Sequence, residues 1–143
     1  MTTTTKIPLW FWIVSGILLV WNIMGVLAYI GQVSLSPEAL AAMPEAEQAL
    51  YEAVPAWVTG AFAIAVFSGL LACVCLLLRK RWAVPAFIIS LAAAVIQSSY
   101  NFFLSDAIAV MGAGAAIMPT IVLLLCVGQI WFARKAEEEG WIA

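Results

Sequence analysis

The sequence predicts an all-α fold, an integral membrane four-helix bundle with a short amphipathic helical segment in the first outer loop. The first observation is composition: the 143 residues are 66% hydrophobic and only 10% charged, whereas a soluble domain is about a quarter charged. The second is that four stretches contain no Asp, Glu, Lys or Arg, and each exceeds the ~20 residues that a helix needs to cross a bilayer. These stretches are 7–37, 53–78, 82–105 and 107–133.

The predicted spans belong to one domain of residues 1–143. Pro8 suits the first turn of the first helix, where its missing N–H leaves no hydrogen bond unmade. Residues 31–55 form the first outer loop, and residues 134–143 form a short cytoplasmic tail. The approximate limits of the spans are 8–30, 56–78, 82–104 and 114–133.

The six basic residues predict the topology. With four spans, they fall at the N-terminus, between spans 2 and 3 and at the end of span 4, which all lie on one side of the membrane. The positive-inside rule therefore predicts that both termini are cytoplasmic and that the acidic loops face out. The basic residues are Lys6, Arg79, Lys80, Arg81, Arg134 and Lys135, and the acidic residues of the other two loops are Glu38, Glu45, Glu47, Glu52 and Asp106.

The first outer loop contains two signals for the start of a helix. Ser36 precedes Pro37 and Glu38, and Pro44 precedes Glu45, which is the pattern of a helix with acidic residues in its first turn. We therefore expect one or two short amphipathic helices on the outer surface. Their apolar side would consist of Leu40, Met43, Leu50, Tyr51 and Val54.

Spans 2 and 3 each carry a row of small residues at every fourth position. Such rows let helix backbones approach closely, which is how helices gain dispersion contacts in lipid. Because a tight turn joins the two spans, we expect them to form a packed hairpin. The rows are Ala61, Ala65, Gly69 and Cys73 in span 2, and Ala86, Ser90, Ala94 and Ser98 in span 3.

The chain offers little catalytic chemistry. It has no histidine, its three cysteines follow no zinc-site pattern, and its spans contain no carboxylate or lysine that could act as a base or proton relay. Phosphate loops and dinucleotide fingerprints are absent. We therefore expect no enzymatic activity, no metal and no cofactor. The basic turn at residues 79–81 favours anionic lipid headgroups and needs no nucleic acid as a partner.

Uncharged polar residues within the spans form the candidate ligand-binding site. Asn22 in span 1 and Gln97 in span 3 reach similar depths in the outer half of the bilayer, and Asn101 follows Gln97 on the same helical face. Gln129, near the cytoplasmic end of span 4, is expected at the interface. The aromatic candidates at comparable or shallower depths are Tyr29, Trp57 and Tyr100.

Two interpretations of these amides stay open. They could bond to each other and hold spans 1 and 3 together, because an unpaired amide in hydrocarbon costs several kcal/mol. They could instead line a pocket that opens outward, with Asn22 and Gln97 as its floor and the acidic loop as its cover.

Several segments together resemble a family of small four-span proteins of the bacterial inner membrane, which automatic labels often describe as sugar transporters. The segments are WFWIVSGILLVWNIMGVLAY, PEAEQALYEAVPAWVTGAFAIAVFSG, LLLRKRWAVPAFIISL and the closing GW. The resemblance covers nearly the whole chain. It implies a multi-pass protein of the bacterial inner (cytoplasmic) membrane.

Two functions of different classes are compatible with these observations. The first is binding or transport of a small neutral solute through the outward-facing polar and aromatic pocket. The alternative is a non-catalytic accessory or scaffold subunit of a larger membrane complex, because the spans hold no ionisable group for proton or cation coupling. The expected partners are the lipid bilayer and either a homo-oligomer or a larger membrane complex.

Overall fold

The computed structural model describes residues 6–143, so residues 1–5 of the predicted domain lie outside the described part of the chain. Residues 6–143 form helices and no strand. The α-helices are α1 (Leu9–Val33), α2 (Pro37–Ala41), α3 (Glu45–Ala53), α4 (Ala56–Leu77), α5 (Ala83–Ser99), α6 (Ala107–Met111) and α7 (Ile117–Glu138). A π-helix (Tyr100–Leu104) extends α5, and a 3-10 helix (Ala113–Ala116) precedes α7.

Four helical segments are long and apolar enough to cross a membrane. They are Leu9–Val33, Ala56–Leu77, Ala83–Leu104 and Ala113–Glu138. The predicted all-α four-helix bundle is confirmed, and the chain is a multi-pass membrane protein. The first three segments begin and end within a few residues of the predicted spans.

The long helices pack in chain order. α1 packs against α4, α4 packs most extensively against α5, and α5 packs against α7. The backbones of α1 and α7 do not pack extensively against each other within residues 6–143. Side chains join these two helices instead, for example the rings of Phe11 on α1 and Phe132 on α7, whose centres lie 5.6 Å apart.

Small residues bring α4 and α5 together, as the sequence predicts. Both rows of small residues are buried along their whole length. The Ser90 hydroxyl donates across the interface to the carbonyl oxygen of Ala65 at 2.7 Å. Because lipid supplies no hydrophobic force between helices, this close approach and the hydrogen bond are what hold the pair. The predicted hairpin of spans 2 and 3 is confirmed.

At one end of the bundle, which we name the basic end because it carries all the basic residues, the chain differs from the predicted tail at 134–143. α7 continues to Glu138, since the Ala, Lys and Glu residues there are good helix formers. The helix ends at Glu138, and Gly140 just beyond it has a positive φ of 76°. The chain then folds back, so that Trp141 and Ile142 are buried, with 6% and 2% of their surfaces exposed.

The basic turn at residues 79–81 holds this folded-back segment. Arg79 has a φ of 59°, in the left-handed region where glycine is usual at a helix end. Its Nε donates to the carbonyl oxygen of Trp141 at 2.9 Å. Two backbone hydrogen bonds of 3.1 Å, from Ala143 N–H to Arg79 and from Arg81 N–H to Ala143, complete the pairing. The basic turn therefore has a structural role in addition to its charge.

The opposite end, which we name the acidic end, contains α2 and α3. The Ser36 hydroxyl accepts a hydrogen bond of 3.1 Å from the N–H of Ala39 and so caps α2, while Pro44 precedes α3. The expected helical segment in the first loop is thus confirmed. Tyr100 anchors it to the bundle, because its hydroxyl donates to the carbonyl oxygen of Ala53 at 3.3 Å.

Candidate functional site

A cavity of about 350 Å³ lies between α1, α4, α5 and α7. This volume is within the range of about 300–1,000 Å³ that is typical of small-molecule sites. The cavity reaches from Asn22 and Gln129, near the middle of the bundle, toward Asn101 and Met118 at the acidic end. It occupies the space that the loose packing of α1 against α7 leaves open.

An amide pair, Asn22 on α1 and Gln129 on α7, forms the deep end of the cavity. The Nδ2 of Asn22 donates to Gln129 Oε1 at 2.9 Å and to the carbonyl oxygen of Leu18 at 2.8 Å, with the sulfur of Cys73 at 3.2 Å. Both amides are buried, with 7% of Asn22 and 2% of Gln129 exposed. This pair is the hydrogen-bonded link between α1 and α7.

One polar atom of each amide remains free. Asn22 Oδ1 and Gln129 Nε2 have no hydrogen-bond partner within residues 6–143, and both residues line the cavity. An acceptor and a donor are therefore available at the deep end of the cavity, where Asn22 Oδ1 lies against α4 at Gly69. Leaving such groups unpaired in hydrocarbon is costly, so a ligand or water that pairs with them is favoured there.

Gly69 on α4 makes room for the Asn22 side chain. A Cβ atom at this position would collide with Asn22 Oδ1 and would lie 3.2 Å from the Ser90 hydroxyl. The glycine thus lets the amide lie against the backbone of α4, with its Nδ2 directed to Gln129. The small-residue row serves the site as well as the α4–α5 interface.

The structure places three of the six predicted site residues on the cavity. Asn22, Gln97 and Asn101 line it, and Gln97 and Asn101 are half-buried residues closer to the acidic end. Of the two open interpretations, the one in which Asn22 bonds to Gln97 differs from the structure, because Asn22 bonds to Gln129 on α7 instead. The expectation that Gln129 is interfacial is also wrong.

The three predicted aromatic residues lie outside the cavity lining. Tyr29 packs edge-on against Phe62 and Phe67 at ring distances of 5.4 and 5.7 Å, which joins α1 to α4. Trp57 and Tyr100 pack edge-on against each other at 5.9 Å, near the start of α4. These rings fit helix packing at the acidic end because their neighbours are other side chains.

The cavity combines an apolar wall with a few uncharged polar groups. Within the described chain, no charged residue lines it. No group of three or more His, Cys, Asp or Glu residues suited to a metal ion occurs in residues 6–143. The arrangement can bind a neutral molecule by hydrogen bonds and dispersion contacts.

Comparison with protein-family models, curated proteins and solved structures finds no match to this chain. The interpretation of the cavity therefore depends on its own residues.

Removing the amide of Gln129, at the deep end of the cavity, should lower stability more than removing the amide of Gln97, closer to the acidic end. Gln129→Leu leaves Asn22 Nδ2 without its partner on α7, so we expect the free energy of unfolding to fall by about 1 kcal/mol. Gln97→Leu breaks no side-chain hydrogen bond within residues 6–143, so its stability should change little. Equilibrium unfolding in detergent measures both variants, and equal losses would contradict the assignment.

Proposed function

We propose that this protein binds a small neutral molecule in the cavity between α1 and α7, either to hold it or to carry it across the membrane. The observation that carries the proposal is the free donor and acceptor of the buried pair Gln129 and Asn22 at the deep end of the cavity. An amide pair that served only to join two helices would be expected to pack against side chains rather than to line a cavity. Uncharged walls favour a neutral ligand, because an unpaired charge in this environment is strongly disfavoured.

The proposed setting is the bacterial inner membrane, with both described ends of the chain in the cytoplasm. The support is the distribution of basic residues, all of which lie at the basic end, together with the resemblance to small four-span inner-membrane proteins. In this orientation the cavity occupies the outer half of the membrane. The packed tail at Trp141 closes the cytoplasmic side.

The orientation has a direct test. A reporter that is active only outside the cytoplasm should give no signal when fused after Ala143 and a strong signal when inserted near Glu47. The reason is the positive-inside rule, with which all six basic residues agree. The opposite pattern of signals would overturn the orientation and place the cavity in the inner half.

Ligand binding can be tested by filling the cavity. Val122 on α7 lines the cavity, whereas Val127 on the same helix has 55% of its surface exposed to lipid. Val122→Trp should remove any bound small molecule that native mass spectrometry detects on the purified protein. Val127→Trp should retain it, because the added ring points away from the site.

The alternative function is that of an accessory subunit in a larger membrane complex. No Asp, Glu, His, Lys or Arg among residues 6–143 lines the cavity, which favours this function because proton or cation coupling has no obvious site there. If no small molecule stays with the wild-type protein and a membrane partner copurifies instead, the accessory function replaces the binding function.

A further inference from the structure

The wall of the cavity between the amide pair and the acidic end is mainly apolar. Its larger side chains are Met24, Phe62, Val66, Met118 and Val122. Gln97, Ser98 and Asn101 offer polar partners on the α5 side, so a sugar would pair hydroxyl groups there but leave those on its opposite side against apolar side chains. An apolar chain would instead gain dispersion contacts along it. The wall therefore favours a ligand whose body is hydrocarbon.

The deep end of the cavity suits one uncharged polar group. A hydroxyl group can donate to an amide oxygen such as Asn22 Oδ1 or accept from an amide N–H such as that of Gln129 Nε2, the atoms of this pair that have no hydrogen-bond partner within residues 6–143. A phosphate or carboxylate would meet no cation from residues 6–143 there, because none of the Lys or Arg residues in that part of the chain lines the cavity. The head group that fits is thus a neutral hydroxyl.

The side of the cavity faces lipid between α1 and α7. Met24 on α1 and Met118 on α7 line the cavity, yet 57% and 58% of their surfaces are exposed. These two helices do not pack extensively against each other within the described chain. A molecule dissolved in the bilayer can therefore reach the amide pair without crossing water.

We propose that the ligand is a neutral amphiphile of the lipid phase, a molecule with a hydrocarbon chain and one hydroxyl head, which enters sideways between α1 and α7. The inference rests on the proposed function and names the class of ligand for the same site. The hydroxyl bonds to the deep amide pair, and the chain lies along the apolar wall toward Met24 and Met118.

The probe is dodecanol carrying a photoreactive diazirine on its chain, added to the purified protein in phosphatidylcholine vesicles. After illumination, mass spectrometry should find adducts on cavity residues such as Met24 and Val122. Excess 1-dodecanol should suppress these adducts by about tenfold, as expected for a saturable site. Adducts on Leu71, which faces lipid with 58% of its surface exposed, should persist under the same conditions.

Three controls separate this inference from the proposed function. Glucose and dodecyl phosphate should not suppress the cavity adducts. Gln129→Leu should weaken competition by 1-dodecanol by about fivefold, the change that corresponds to one hydrogen bond of about 1 kcal/mol. Val122→Trp should abolish the cavity adducts, whereas Val127→Trp should leave them unchanged.

Other outcomes overturn the inference in distinguishable ways. Cavity adducts that 1-dodecanol does not suppress would mean that the probe only samples bulk lipid. Suppression by glucose would leave the proposed function standing and replace the ligand class by a water-soluble one. The amphiphile proposal can fail while native mass spectrometry still finds a bound molecule that Val122→Trp removes; the proposed binding function then stands. If native mass spectrometry finds no bound molecule, the binding function and the amphiphile proposal are both wrong.

Discussion

Replacing Gly69 by leucine should lower the free energy of unfolding by about 3 kcal/mol, the largest effect expected for a single added side chain in this bundle. Even a Cβ atom at this position collides with Asn22 Oδ1 and lies 3.2 Å from the Ser90 hydroxyl. The leucine must therefore push both α1 and α5 away from α4. It would break the contact between Asn22 and Gln129 at the same time.

Gly60 supplies the matched control because it lies on the same helix. A Cβ atom there meets no other atom within 4 Å, so Gly60→Leu should be neutral or slightly stabilising. Equilibrium unfolding with a denaturing detergent gives both free energies. Similar losses for the two variants would show that the clash at Gly69 does not limit packing.

A double-mutant cycle tests which neighbour opposes a side chain at Gly69. Gly69→Ala adds only the colliding Cβ atom, so its cost should fall strongly when Asn22→Ala removes the amide in its path. The remaining cost would report the contact with Ser90. If the two substitutions are additive, Asn22 is not the residue that excludes a side chain from position 69.

The sequence was sufficient to predict the spans and the central hairpin because both depend on short-range patterns. A charge-free stretch long enough to cross hydrocarbon specifies a membrane helix whatever its neighbours are. A small residue at every fourth position, as in Ala61, Ala65 and Gly69, specifies a face for close packing. The tight turn between spans 2 and 3 then leaves few other partners for that face.

The partner of Asn22 could not be predicted in the same way. Counting residues along a helix gives the depth of Asn22 and Gln97, but it does not give the direction in which each side chain points. Depth alone could have identified Gln129 as a candidate partner of Asn22. Gln129 lies about 12 residues from Ile117, or about 18 Å along α7 from the acidic end. Measured from the same acidic end, Asn22 lies about 11 residues, or about 17 Å, from Val33 at the end of α1.

The burial of the C-terminal segment was also not predicted, because residues 134–143 were expected only to form a short cytoplasmic tail. Glu137, Glu138 and Glu139 lie on the surface, while Gly140 reverses the chain and returns Trp141 to the core. A glycine after a charged helix end followed by tryptophan is the local signal that was available. Burial of the segment after this signal depended on packing against Trp10 and Phe11 of α1, which are distant in sequence.

Trp141→Ala should lower the free energy of unfolding by about 3 kcal/mol, which is typical of removing a buried tryptophan. The ring packs edge-on against Trp10 at 5.0 Å and lies 5.7 Å from the ring of Phe11. These contacts join the end of the chain to the start of α1 at the basic end. The substitution leaves the backbone carbonyl that accepts from Arg79 Nε, so the loss measures the ring itself.

Trp131 is the control for Trp141, since it is the same residue type on the same side of the bundle but has 63% of its surface exposed. Its ring has Lys135 Nζ at 5.8 Å, an exposed contact worth about 0.5–1 kcal/mol, so Trp131→Ala should cost no more than that. Equilibrium unfolding of the two variants in the same detergent provides the comparison.

Limited proteolysis should also cut Trp141→Ala after Arg134 or Lys135 sooner than the wild type, because the folded-back segment no longer protects the end of α7. Equal stability and equal cleavage of the two variants would mean that contacts between α1 and α7 stabilise the basic end and that the Trp141 ring contributes little.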